Sequence, residues 1–226
     1  MCNYWVDYFD RYRKVAHLSG KDIEEVVSIF YQLEREEPLF QQQNGFSGVP
    51  MQYVIMYVLV RLLRPNTVIE TGVHEGWSAW FTLLAMEHNR HGMLHSVDLP
   101  NQDIELVPGG NRQREFLPEG KDPGWRVPQE LRKRWQLHLG DAKDILPALL
   151  PSISPFDIFV HDSLHTYDHM LFECRTAWPS LRSGGILVAD DIDLHTAFLD
   201  FAQEIHYPYE LFNFRPRTNS LGAIRK

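Results

Sequence analysis

Two short apolar runs, Phe156-Asp157-Ile158-Phe159-Val160 and Gly185-Ile186-Leu187-Val188-Ala189, constrain this chain more than any other feature. Near-continuous apolar runs of that length belong to strands covered on both faces, which means a parallel sheet sandwiched between helices. Acidic residues follow each run closely: Asp162 comes after the first, and Asp190-Asp191 come directly after the second. Between the runs, Met170, Leu171, Cys174, Ala177, Trp178 and Leu181 keep the three-to-four spacing of a helix, with Gly184 placed for its C-terminal cap. A strand, helix, strand connection of this kind is right-handed. It therefore brings Asp162, Asp190 and Asp191 to one rim of one sheet, the carboxyl-terminal rim where open α/β sheets bind ligands.

The same alternation extends over most of the chain. Strands are predicted at Thr67 to Glu70, Leu94 to Asp98 and Gln136 to Leu139, with helices Trp77 to Met86 and Ala142 to Leu149 between or after them. Beyond Asp191, a helix around Leu194 to Glu204 leads to strands Tyr209 to Phe214 and Leu221 to Ile224, read as an antiparallel hairpin that closes the sheet. Upstream, residues 4 to 36 carry helical patterns broken at Ser19-Gly20-Lys21-Asp22, and Met51 to Leu63 is a strongly apolar helix stopped by Pro65. Trp5, Tyr8, Phe9 and Tyr12 read as a helix packing face. The predicted class is α/β, a Rossmann-like doubly wound sheet of seven strands, mostly parallel with an antiparallel last strand, plus N-terminal helices. One domain over 1–226 is expected, with 1–64 as a helical extension. Residues 99–130 sustain neither period and leave directly from the ligand rim, so they are read as a lid, the alternative being a disordered insertion.

Composition narrows the function. The 22 Lys and Arg against 30 Asp and Glu give a net charge of −8, which opposes affinity built on phosphate neutralisation and so argues against a nucleic-acid partner. A small-molecule substrate fits better. Two cysteines, Cys2 and Cys174, make no disulfide framework, and the N-terminus lacks a basic start followed by an apolar signal core, so a reducing cytoplasm is expected. The apolar run Val54 to Val60 is far short of the roughly 20 residues needed to span a bilayer, so no membrane partner is expected. A homodimer is compatible with the chain, whose pattern does not specify the oligomeric state.

Chemistry concentrates in the turns. Glu70-Thr71-Gly72-Val73-His74-Glu75-Gly76-Trp77-Ser78-Ala79 joins the first strand to its helix, with Gly72 and Gly76 permitting tight turning and the start at Trp77-Ser78 offering free backbone donors. A dinucleotide fingerprint is absent, because His74 stands where the second glycine of G-x-G-x-x-G belongs. Asp98, ending the second strand, is suited to accept both hydroxyls of a ribose. Gly140-Asp141-Ala142, following the third strand, is placed to hold an adenine edge.

From Thr67 to Asp191 the chain resembles the class I S-adenosylmethionine-dependent methyltransferases, and among them the metal-dependent small-molecule O-methyltransferases such as catechol O-methyltransferase. Glu70 to Ala79 is similar to the E-x-G-x-x-x-G-[YW]-S-A turn of that family, Asp98 to its ribose-binding acid, and Gly140-Asp141-Ala142 to its turn beside adenine. The resemblance implies S-adenosylmethionine as cofactor, held by Glu70, Gly72, Val73, Gly76, Trp77, Ser78, Asp98, Asp141, Ala142 and Asp162. It implies a Mg2+ or other divalent cation on Asp162, Asp190 and Asp191, a donor set that suits a hard, oxygen-seeking ion. It further places His165 at the position of the catalytic lysine, three residues beyond Asp162. An imidazole, with an ordinary pKa near 6.5, takes a proton at neutral pH without first being neutralised itself. The chain departs from the family in Asp190-Asp191, where relatives carry Asp-Asn, and in histidine for lysine at position 165.

Competing readings attach to the same residues. Asp190-Asp191 would serve as a helix cap, and Trp77 is as well suited to the core as to adenosine. His161 reads as strand-end packing. His161, His165 and His169 recur every four residues like a zinc face, but the strand-like run through Val160 breaks that face and H-E-x-x-H is missing. Arg112, Arg114, Lys121 and Arg126 would greet an anionic substrate or simply solvate a loop. The rival functions are a nucleotide-dependent oxidoreductase or hydroxylase on the same fold, and a catalytically idle methyltransferase-like scaffold.

Overall fold

The computed structural model describes residues 4–36, 51–100, 117–213 and 220–226. In chain order the elements are α1 (Tyr4–Ser19), α2 (Ile23–Glu36), α3 (Met51–Leu63), β1 (Thr67–Thr71), α4 (Trp77–Asn89), β2 (Met93–Asp98), β3 (Trp135–Leu139), α5 (Ala142–Ile153), β4 (Phe156–His161), α6 (Tyr167–Ala177), β5 (Leu181–Ala189), α7 (Ala197–Ile205), β6 (Tyr209–Asn213) and β7 (Ser220–Arg225). They form a seven-stranded sheet in the order β3-β2-β1-β4-β5-β7-β6. Strands β1 to β5 are parallel to one another, and β7 runs antiparallel to both β5 and β6. The order reverses between β1 and β4, so the switch point of the sheet lies where the turns after these two strands face each other.

Why the central strands are apolar throughout follows from the layers. In β4, Ile158 and Val160 join one buried cluster while Phe156 and Phe159 join the other; in β5, Ile186 and Val188 alternate in the same way with Leu187 and Ala189. Helices α1 to α4 cover the first face and α5 to α7 the second. The one charge within the β4 run is satisfied locally. Asp157 accepts the backbone N–H groups of Asn66 and Thr67 at 2.8 and 2.9 Å and pairs with Arg182, as a buried carboxylate must to offset its desolvation.

Helix α3 is buried on nearly all sides, which is why its sequence is apolar all round rather than striped. It packs on α4, and the α1–α2 pair closes over it with Tyr12 against Phe30 at 4.9 Å between ring centroids. Tyr8 packs there too, whereas Phe9 is half exposed and the side chain of Trp5 lies outside the described residues. Among the described residues, no helix is long and apolar enough to cross a membrane.

Gly184 corrects one expectation. It does not cap α6, which ends at Ala177 and passes into a 3-10 turn, Trp178–Ser180. Pro179 supplies no N–H for a further α-turn, so the helix stops earlier than its apolar spacing suggests. Gly184 instead lies inside β5 at φ 75°, donating its N–H to the carbonyl of Lys226, where the β4–β5 register shifts.

Candidate active site

The turns after β1, β2 and β3 are tied into one surface by the backbone. Gly72 N–H donates to the Val97 carbonyl and Gly140 N–H to the Asp98 carbonyl, both at 2.9 Å. The Asp98 carboxylate binds the β1 turn itself, accepting Val73 N–H at 3.0 Å and His74 N–H at 2.8 Å on one oxygen and Leu99 N–H at 2.7 Å on the other. Asp98 is thus a brace for the glycine turn as well as the acid at the strand end. Gly72, at φ 81°, is indispensable sterically: a Cβ there would lie 1.8 Å from the Asp162 carbonyl oxygen. Its bare backbone lets the ends of β1 and β4 touch, and Asp162 N–H in turn donates to the Thr71 carbonyl.

Inside the turn, Gly76 opens α4 in the left-handed region at φ 99°. Ser78 and Ser96 both hydrogen-bond the buried Glu70 carboxyl, the latter at 2.6 Å. Burial nevertheless pushes Glu70 up to about 7. Trp77 stacks on Trp80 at 5.4 Å and carries the Arg126 guanidinium over its face at 5.3 Å. Asp141 caps α5 through Lys143 N–H at 2.8 Å, with Ala142 buried behind it.

Of residues 99–130, positions 101–116, including Arg112 and Arg114, lie outside the described residues. The remainder packs onto the glycine turn. Gly124 and Arg126 donate backbone N–H groups to the His74 and Glu75 carbonyls, and the Arg126 guanidinium pairs with Glu75 at 2.8 Å.

Across the switch point stand the carboxylates. Asp190 N–H donates to the His161 carbonyl, which sets Asp190-Asp191 beside the end of β4. Asp191 turns the chain at φ 52°, and α7 begins only at Ala197. The helix-cap reading of the pair therefore fails, because five residues separate Asp191 from Ala197 and Thr196 holds the N-cap position. His165 Nε2 stands 3.7 Å from both Asp162 Oδ1 and Asp191 Oδ2. It lies two residues before α6 rather than in its first turn, since Thr166 is extended and the helix opens at Tyr167. Burial and the neighbouring acids raise Asp162 well above the usual carboxylate range and push Asp190 up to about 7, and Asp191 is raised as well. Burial, aided by His161, pulls His165 down to about 4. Its imidazole is therefore neutral at physiological pH.

The three carboxylates have the chemistry of a divalent-cation site, and one buried oxygen, Asp190 Oδ1, has no hydrogen-bond partner among the described residues. Their arrangement does not fit a formed site: among the described residues no three His, Cys, Asp or Glu side chains converge in a way that would hold a metal ion. The His165 ring is placed between two of them. The zinc face is absent for a separate reason, as His161 and His169 both turn to Glu173.

Several groups at this rim escaped the sequence pattern. Tyr53 of α3 has its phenol raised by burial and then by the charges of Asp162, Asp190, Glu70 and Glu75. His195 reaches the neighbourhood of His165 from the loop after β5. Glu173, fully buried under the post-β4 loop, gathers Thr71, His161, Ser163 and His169. Only the last had a signal, the i, i+4 spacing of His169 and Glu173 on one helix.

A doubly wound sheet with a glycine turn braced by a strand-end acid, facing a cluster of carboxylates and an imidazole over the switch point, is the architecture of a class I transferase domain. The sequence profile of the family described as a methyltransferase domain matches residues 69–192, more than half of the chain, and the chain belongs to that family. Among solved structures it resembles the O-methyltransferase TomG from Streptomyces achromogenes in complex with SAM, at 18% identity over 91% of each chain and a TM-score of 0.58. It also resembles the O-methyltransferase from Bacillus cereus in complex with SAH, at 14% identity over 88% of this chain and 91% of that one, TM-score 0.58. A third is CalS11, calicheamicin methyltransferase, at 18% identity over 96% and 91%, TM-score 0.57. No curated protein sequence matches the chain.

Proposed function

We propose that this protein transfers the methyl group of S-adenosylmethionine to a hydroxyl of a small molecule, a sugar, natural product or phenol. The observation that carries the reading is the contact of Gly72 with the backbone of Asp162. It joins the cofactor half of the rim to the half that holds His165, within reach of one bound molecule. The donor group brings an activated methyl and its own leaving group, so the chain has only to position it and to supply a deprotonated acceptor. Asp98 is assigned to the ribose hydroxyls, Glu70 and Ser78 to the methionine end, Gly72, Val73, Gly76 and Trp77 to the turn around it, Asp141 and Ala142 to the adenine edge, and Asp162 to the junction. His165 Nε2, neutral and 3.7 Å from two acidic side chains, would receive the acceptor proton, while bound S-adenosylmethionine would supply the activated methyl group. Asp162 and Asp191 then stabilise the imidazolium that results.

Asp162, Asp190 and Asp191 supply the oxygen donors that a metal-assisted form of the transfer would use. The net charge of −8 supports a small-molecule partner rather than nucleic acid, in a cytoplasmic protein without a membrane partner, and sedimentation would decide between a monomer and a homodimer.

Calorimetric titration with S-adenosylmethionine and with NAD(H), each with and without Mg2+, tests the assignment. S-adenosylmethionine is expected to bind and NAD(H) to give no heat; the reverse result would return the oxidoreductase reading. With an accepted hydroxyl substrate, His165→Ala is expected to lower kcat by about 10²–10⁴-fold with cofactor affinity retained. Full turnover in excess chelator would remove the metal from the reading and leave His165 as the sole base.

A further inference from the structure

We propose that Glu173 is a positioning residue for the loop that carries Asp162 and His165, acting through His161 and Ser163. The inference rests on the reading of His165 as the base. Glu173 is fully buried in the middle of α6, where a carboxylate costs several kcal/mol to desolvate unless its oxygens are satisfied. Its two oxygens offer about four lone-pair sites, and four donors fill them. Oε2 accepts from Thr71 Oγ1 and His161 Nδ1, both at 2.5 Å; Oε1 accepts from Ser163 Oγ at 2.8 Å and His169 Nε2 at 2.9 Å.

The identity of the donors carries the argument. His169 belongs to the helix of Glu173 itself, but Thr71 immediately precedes Gly72, His161 immediately precedes Asp162, and Ser163 immediately follows it. One buried carboxylate therefore clamps the ends of β1 and β4 and the first step of the site loop. An apolar residue of similar volume would fill the same space, often at no loss of stability, without fixing the direction of any of these groups. Burial alone would raise Glu173, yet His161 and His169 hold it well below the ordinary carboxylate range.

Among the described residues His165 has no hydrogen-bonding anchor. Its Nδ1 is buried without a hydrogen-bond partner, and its Nε2 is 3.7 Å from the nearest carboxylates, beyond hydrogen-bonding distance. The ring is held by packing instead. It meets the His161 ring edge-on, with centroids 5.7 Å apart and planes at 81°. The His161 ring is oriented by its Nδ1–H bond to Glu173, so the carboxylate sets His165 at one remove.

Glu173→Gln is the direct test, because glutamine keeps the shape but turns an NH2 group toward two of the four donors. Nitrogen-edited NMR of the histidine rings, at one fixed pH and without cofactor, reads the effect; His165 is assigned by loss of its signals in His165→Gln. The expected result is displacement of the His165 ring signals by more than a line width in a variant that stays folded by circular dichroism. Unmoved His165 signals beside a lowered melting temperature would overturn the proposal and leave Glu173 a core group. If Glu173→Gln does not fold, Ser163→Ala and Thr71→Val each remove one donor, and unmoved His165 signals in both overturn it equally. Failure of the native protein to bind S-adenosylhomocysteine would instead sink the methyltransferase reading and leave the NMR result standing.

Discussion

Asp98 carries two duties that sequence alone assigns as one. The sequence proposes it for a ribose, and the structure adds that it braces Val73 and His74 through their N–H groups. Asp98→Ala removes charge-assisted bonds worth about 1.5–3 kcal/mol each, so S-adenosylmethionine affinity should fall at least tenfold by calorimetry. Unchanged affinity in a folded variant would free Asp98 of the cofactor. Glu70 gives a signed pH effect. Burial raises it from about 4.5 to about 7 in the folded chain, so the folded state binds the proton more tightly than the unfolded one. The stability this contributes is fully present below the unfolded value and is lost as pH rises through about 7. Glu70→Gln, which keeps an acceptor for Ser96, should therefore flatten the fall in melting temperature between pH 5 and pH 8. The difference amounts to at most about 3 kcal/mol, and identical pH curves for the two proteins would contradict it.

Among the elements, the segment 117–128 is the one whose role its sequence conceals. It has no period, yet it lies along the glycine turn, held by Gly124 and Arg126 backbone bonds, by the Arg126–Glu75 pair and by Arg126 over Trp125 at 4.2 Å. The charge pair is partly exposed and contributes no more than about 1 kcal/mol, with a similar amount from the aromatic contacts. Arg126→Ala is expected to speed hydrogen exchange across 117–128 and to weaken cofactor binding by about three- to tenfold. Faster exchange with unaltered affinity would show that the segment does not cover the bound cofactor.

At the scale of the whole molecule, the cluster that contains Leu33 and Phe30 of α2 continues through α3 and α4 to Val68, Ile158 and Val188 of the sheet. The N-terminal helices are thereby expected to melt with the sheet as one cooperative unit. Leu33, fully buried, tests this. Leu33→Ala should cost about 2–5 kcal/mol and lower a single calorimetric transition, whereas a split transition would make α1 and α2 a separate unit.

The sequence by itself determined the sheet, its parallel core, the antiparallel closing hairpin and the rim on which the acids lie. Each of these follows from local period and from which residue ends a strand, and both are written in consecutive residues. The glycine turn after β1 was legible for the same reason. What only the tertiary structure decided is what distant side chains do when brought together. Asp157 is satisfied by Asn66 and Thr67, the Tyr53 phenol is raised by acids of the rim from a helix that reads as pure core, and Gly184 bends a strand instead of ending a helix. The neutral state of His165 belongs here too, because burial that lowers an imidazole comes from elements far apart in the chain. The four donors of Glu173 are spread from residue 71 to residue 169, and no period connects them. Hydrogen bonds and desolvation act through space, and that space exists only after the sheet has closed.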